Sequence, residues 1–152
     1  MEKITLLHVL LFFLTLFSTI VVGAIQTGVD ILKEPEKIFN GLPFALTLIT
    51  ILMAHELSHY FTSRKHGVKA TLPYFIPAPT IIGTFGAFIK MKSPIISRKS
   101  LIDIGASGPI SGFIVSVIAT IIGLNMSEVV PSGKIKNGLN LGDSILFSIL
   151  SR

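Results

Sequence analysis

The feature that most limits what this chain can become is an uncharged stretch, Gly41-Leu42-Pro43-Phe44-Ala45-Leu46-Thr47-Leu48-Ile49-Thr50. It runs without a break into Ile51-Leu52-Met53-Ala54-His55-Glu56-Leu57-Ser58-His59-Tyr60-Phe61. A helix over residues 43–62 would be about 30 Å long at 1.5 Å per residue, the thickness of a bilayer's hydrocarbon core. Half of the 152 residues are apolar and only 14% are charged. That balance excludes an ordinary soluble domain and points to a polytopic membrane protein.

Two histidines four apart on a helix differ by about 40° around its axis, so the rings of His55 and His59 face the same way. Neutral imidazoles at that spacing can share a Zn²⁺, and Glu56 sits where it can take a proton from a water. On the proposed span His59 lies about 5 Å from one end and His55 about 10 Å. An ionised glutamate at such depth costs about 2–3 kcal/mol even on lenient insertion scales, so Glu56 needs a reason to be there. Polar residues that merely bond between helices are the plainer alternative. The chain has no cysteine, which rules out disulfides and thiolate ligands and leaves histidine and carboxylate to hold any zinc.

The rest of the chain reads as further spans and their connections. Residues 4–24 form an apolar run longer than the roughly 7–15 residues of a signal peptide's core, so a retained first transmembrane helix is expected. His8 inside it reads as a structural hydrogen-bonding residue. Residues 26–40 are a short polar connection in which Asp30, Glu34 and Glu36 offset Lys33 and Lys37, and Pro43 suits the first turn of the next helix. From Ser63 to Lys99 there are Arg64, Lys65, Lys69, Lys90, Lys92, Arg98 and Lys99 and no acidic residue. The positive-inside rule makes the 63–99 loop cytoplasmic, and with it the N-terminus and the opening of the site. His66 reads as a solvated juxtamembrane residue. The net charge of +5 is accounted for by this topology, and no nucleic-acid partner is expected.

Within the loop, Leu72-Pro73-Tyr74-Phe75-Ile76-Pro77-Ala78-Pro79 is apolar but too rich in proline for a helix. The β-branched and aromatic residues of 81–92 suggest one or two strands. Extended backbone at membrane depth survives only when protein covers it, so this segment is expected to dip in beside the site. A third span covers 100–124, where Ser100 and Asp103 have capping-box spacing. Gly108-Pro109 should kink it, and Gly108 with Gly112 offers a face for close helix packing. The 125–140 loop is polar. A further apolar run, 141–152, opens with Asp143 as an N-cap and stops roughly halfway through the length a span needs. The expected fold is an all-α membrane protein: a polytopic helical bundle with three complete transmembrane helices, the start of a fourth, and a short extended or hairpin-like loop near the site. It reads as a single domain truncated at its C-terminus.

His55-Glu56-Leu57-Ser58-His59, then residues 72–79, Gly83-Thr84-Phe85-Gly86 and Asp103-Ile104-Gly105-Ala106-Ser107-Gly108-Pro109, in that order, resemble the site-2 protease family of intramembrane zinc metalloproteases. The resemblance implies that His55 and His59 bind Zn²⁺ and that Glu56 activates the water attacking a peptide carbonyl. It also implies that Gly83, Thr84, Phe85 and Gly86 help hold a substrate's membrane segment extended, by strand addition. The partners would be membrane proteins with a transmembrane segment, met within the lipid bilayer of the cell membrane. Two departures stand out. Ser58 replaces the family's usual glycine, with a hydroxyl that can reach back to the Ala54 carbonyl. The family's third ligand, an aspartate before glycine, has no counterpart here, and it is expected beyond Arg152. That gap motivates a competing function, a non-proteolytic adaptor or chaperone with an incomplete zinc site. A metal-ion transporter fares worse, because the spans provide no second buried set of carboxylates and histidines.

Overall fold

The computed structural model describes residues 4–127 and 144–150. The chain divides into two compact units, Met1–Val115 and Ser116–Arg152. The first carries helix α1 (Leu6–Gln26), a 3-10 helix (Pro35–Gly41), α2 (Leu42–Lys65), strands β1 (Tyr74–Pro77) and β2 (Thr84–Phe88), and the start of α3 (Arg98–Met126). The described part of the second holds the last turns of α3 and a six-residue helix, α4 (Ile145–Leu150).

Helices α1, α2 and α3 are each long and apolar enough to cross a membrane. Their side chains are distributed as lipid, not water, demands. On α1 the buried face is polar or small, with Thr15 and Thr19 fully buried beside Gly23 and Ala24. Leu6, Phe13 and Phe17 point outward, Phe17 with 61% of its surface exposed. Small and hydroxylated residues at the interface let backbones approach and bond, while the apolar face meets acyl chains. Thr19 returns its hydroxyl to the Thr15 carbonyl at 2.8 Å, which satisfies it without a partner on another helix.

The spans overrun the expected limits. Helix α2 continues to Lys65 and α3 runs from Arg98 to Met126. Arg64 and Lys65 sit in the last turn of α2, where cationic side chains favour the helix C-terminus and reach back to the membrane surface. Residues 35–41, expected as plain connection, wind into the 3-10 helix, and Pro43 does fall in the first turn of α2. The N-cap of α3 also differs from expectation. Ser97 accepts from the Ser100 backbone N–H at 3.0 Å and starts the helix, so Ser100 and Asp103 lie inside it. At α4, Ser144 accepts from the Phe147 N–H. Asp143, the 125–140 loop beyond Ser127, and the ends at Glu2, Lys3 and Arg152 lie outside the described residues.

The proline-rich stretch supplies a strand that its composition conceals. β1 pairs antiparallel with β2, Tyr74 opposite Phe88 and Ile76 opposite Gly86, with a register shift between Ile76 and Pro77. Pro77 ends the strand, where a missing N–H costs no ladder bond. The pairing continues outward through Ala70 and Met91. β1 lies against α1: Phe75 meets the Phe12 ring edge-on at 5.3 Å, and Tyr74 stacks on His8 at 4.1 Å. His8 is held in turn by the Thr5 hydroxyl, 2.6 Å from its Nδ1. This is the structural bonding expected of it.

Candidate metal centre

Helix α2 delivers three ionisable side chains within five residues. The His55 and His59 Nε2 atoms are 3.1 Å apart. Two ligands bonded at about 2.05 Å to one tetrahedral ion would stand roughly 3.3 Å apart, so the pair is already spaced as ligands of a single Zn²⁺. Glu56 is buried, with 8% of its surface exposed. The backbone of Ile89, just past β2, lies beside its carboxyl group.

Helix α3 forms the wall behind the histidines. The Ile104 carbonyl lies 2.6 Å from His59 Nδ1. A carbonyl only accepts, so His59 carries its proton on Nδ1 and presents the Nε2 lone pair towards His55. A second partner that fixes the tautomer in this way accompanies most metal-bound histidines. Gly108 makes the approach possible, because a Cβ there would overlap the His59 ring. At Gly112 a Cβ would stand 3.2 Å from His55 Nδ1. Across from them, the Ser111 hydroxyl donates to the Ala54 carbonyl at 3.0 Å. The bond to that carbonyl expected from Ser58 is thus made from the neighbouring helix.

The two nitrogens and their fixed geometry fit zinc as far as they go. Among the described residues no group of three histidine, cysteine, aspartate or glutamate side chains converges on one point. Asp103 is engaged elsewhere: its Oδ2 lies 2.9 Å from His66 Nε2, while His66 Nδ1 lies 3.1 Å from the Ser100 hydroxyl. His66 is therefore a structural link between α2 and α3, contrary to the solvated residue expected.

The four residues 83–86 are not equivalent. Gly83 has φ +77, and its backbone packs against α1 where a Cβ would come within 2.8 Å of Thr19 Cα and the Ser18 carbonyl. Ser18 donates to the Gly83 carbonyl at 2.6 Å, and Gln26 donates to that of Ile81 at 2.8 Å. Thr84 is buried and spends its hydroxyl on the Ile76 carbonyl, while also accepting from the Gly86 N–H. Phe85 projects outward, 71% exposed. Gly83 and Thr84 are thus built into the scaffold, whereas Phe85 is exposed. Ser18, Ile104 and Ser111 were missed from sequence. For Ser18 the signal was present, since Thr15, Ser18 and Thr19 recur at helical spacing within an otherwise apolar span.

Comparison with known proteins gives the family. Residues 43–150 match the family model described as Peptidase family M50. Over 89 residues the chain is 37% identical to the "Probable zinc metalloprotease EGY2, chloroplastic" of Arabidopsis thaliana, covering 59% of this chain and 16% of that protein. The Arabidopsis "Probable zinc metalloprotease EGY1, chloroplastic" is 39% identical over 87 residues, and the EGY2 protein of Oryza sativa subsp. indica 32% over 88, each match again covering 16% of the relative. The matched region is thus about a sixth of these relatives' length. No solved structure matches.

Proposed function

The chain belongs to peptidase family M50, and on that footing we propose that it forms the metal-binding part of an intramembrane zinc endopeptidase. His55 and His59 are two of the zinc ligands and Glu56 is the catalytic base. The observation that carries this reading is the pair of Nε2 atoms 3.1 Å apart, one of them aimed by the Ile104 carbonyl, beside a buried glutamate. The third ligand is proposed to come from outside the described residues.

Bound zinc would act as a Lewis acid that polarises the scissile carbonyl and lowers the pKa of water. Everything else falls to the chain's own residues. His59, its Nδ1 proton given to Ile104, keeps Nε2 unprotonated for ligation. Glu56 accepts a proton from the attacking water and returns it to the departing amine, from a buried position on α2. A transmembrane substrate must leave its helix before a carbonyl can be reached. The outer edge of β2 supports strand addition as the means, with Phe85 contacting the substrate and Gly83, Thr84 and Gly86 keeping the strand in place. The substrates are proposed to be membrane proteins, met inside the bilayer. The basic residues between α2 and α3 support a cytoplasmic site opening and N-terminus.

The test is cleavage of a single-span substrate by the intact protein in proteoliposomes. Glu56→Gln is expected to lower the cleavage rate at least 100-fold, in the range general-base loss produces, while zinc content stays at the wild-type level. Cleavage at the wild-type rate refutes the mechanism. Wild-type protein that neither cleaves nor retains zinc would favour the adaptor reading.

A further inference from the structure

The α2–α3 contact is a ladder of rungs that run antiparallel. Ser111 meets Ala54, Gly112 faces His55, Gly108 and Ile104 meet His59, and Ser100 with Asp103 meet His66. On α3 the positions recur every three or four residues, and on α2 they fall at 54/55, 59 and 66, so one face of each helix is committed to the other. The last rung differs from the rest. It joins an imidazole to a carboxylate, and it stands where the two helices emerge beside the basic loop. His66 also terminates α2, its backbone N–H bonding back to Thr62 and Ser63.

Asp103 and Ile104 are consecutive. A slide of α3 by one helical turn moves both by about 5.4 Å. It would part Asp103 from His66 and at the same time take the Ile104 carbonyl away from His59. We propose that Ser100, Asp103 and His66 form a positioning clasp that keeps the Ile104 carbonyl against His59 and so decides which nitrogen of that ring is offered to the metal. The inference rests on the reading of His59 as a ligand. The clasp itself is a matter of the chain's own geometry. His66 and Asp103 side chains are 20% and 41% exposed, and a pair so open to solvent adds little to bulk stability. Its consequence is register.

The four histidines make the test direct. In the intact metal-free protein labelled with ¹⁵N-histidine, wild-type His59 is expected as a single Nδ1–H tautomer, assigned through His59→Gln. Asp103→Leu is expected to convert it to a mixture of tautomers and to weaken zinc, measured against a chromophoric chelator, about tenfold, the size of effect that outer partners of ligands produce. Asp103→Asn, whose amide oxygen can still accept from His66, is expected to restore both within about twofold. If Asp103→Leu fails to insert or fold, His66→Ala opens the clasp from the other side with the same expected readout. A single wild-type tautomer in a folded variant without the clasp overturns the proposal. Tautomer loss in a protein whose wild type never holds zinc would leave the clasp standing and remove the metal reading instead.

Discussion

Three glycines on α3 offer a graded test of the metal centre, because a methyl group at each meets a different obstacle. At Gly105 nothing lies within 4 Å of the added Cβ. At Gly112 it would stand 3.2 Å from His55 Nδ1 and 3.4 Å from His55 Cβ, tight by a few tenths of an ångström. At Gly108 it would overlap Nε2, Cδ2 and Cε1 of His59, and the ring would have to leave its seat. Forcing one carbon into a packed site costs about 1–3 kcal/mol. Moving the ring also breaks its 2.6 Å bond to Ile104, worth about 1 kcal/mol net. Gly108→Ala should therefore raise the free energy of the ligand arrangement by about 2–4 kcal/mol, or roughly 30- to 700-fold in metal affinity. For Gly112→Ala the contact cost is below about 1 kcal/mol, less than about fivefold in affinity. Gly105→Ala should leave affinity unchanged. The assay is competition for zinc with a chromophoric chelator in detergent, with helicity followed by circular dichroism. Wild-type affinity in Gly108→Ala would refute the close seat of His59. An equal loss in all three would show that α3 itself, and not the ring, had been disturbed.

The anchoring of β2 to α1 gives a second expectation. Ser18→Ala removes the 2.6 Å bond to the Gly83 carbonyl and should lower the unfolding free energy by about 1 kcal/mol, with faster hydrogen exchange at the Thr84–Phe88 amides. Gly83→Ala should cost more than about 2 kcal/mol, since it adds backbone strain at φ +77 to a backbone collision with α1; a denaturant midpoint equal to that of Ser18→Ala would count against it. Stripping the metal should not unfold the chain. Both proposed ligands stand on one helix, and the α2–α3 bonds do not pass through the ion, so a chelator is expected to remove only the linkage stabilisation of binding. Collapse of helicity on chelation, as in metal-nucleated domains, would contradict this.

The sequence made the long elements readable and concealed the contacts between them. Three spans announce themselves because bilayer thickness fixes their length, and His55, Glu56 and His59 because one helix carries all three at a spacing that needs no tertiary information. The strand Tyr74–Pro77 was hidden by its prolines, which rule out a helix but are tolerated at a strand end. Asp103 was read as a cap because its distance from Ser100 suits one. Only the structure shows Ser97 as the cap and His66, far away in sequence, as the partner. Ile104 contributes a backbone carbonyl, for which no side-chain pattern exists. The roles expected for residues 83–86 were assigned to a string of letters, whereas the fold sorts them by direction, Gly83 and Thr84 inward and Phe85 outward.

Burial of apolar surface cannot be what holds these helices together, since a leucine leaving lipid for protein gains almost nothing from the exchange. Association must come from close packing and from polar groups that would otherwise be unsatisfied in hydrocarbon. In this chain two of those groups stand at the candidate centre, Ser111 on Ala54 and His59 on Ile104, and Ser18 on Gly83 ties β2 to α1, with glycine backbones pressed against rings and helices. The same contacts that assemble the fold therefore set the positions of His55 and His59 and of strand β2. A substitution near the candidate centre is also a substitution in the membrane core's cohesion. Stability and metal affinity are then expected to fall together for Gly108→Ala, whereas Glu56→Gln, which removes a charge from a buried carboxylate and breaks no rung of the ladder, should separate activity from both.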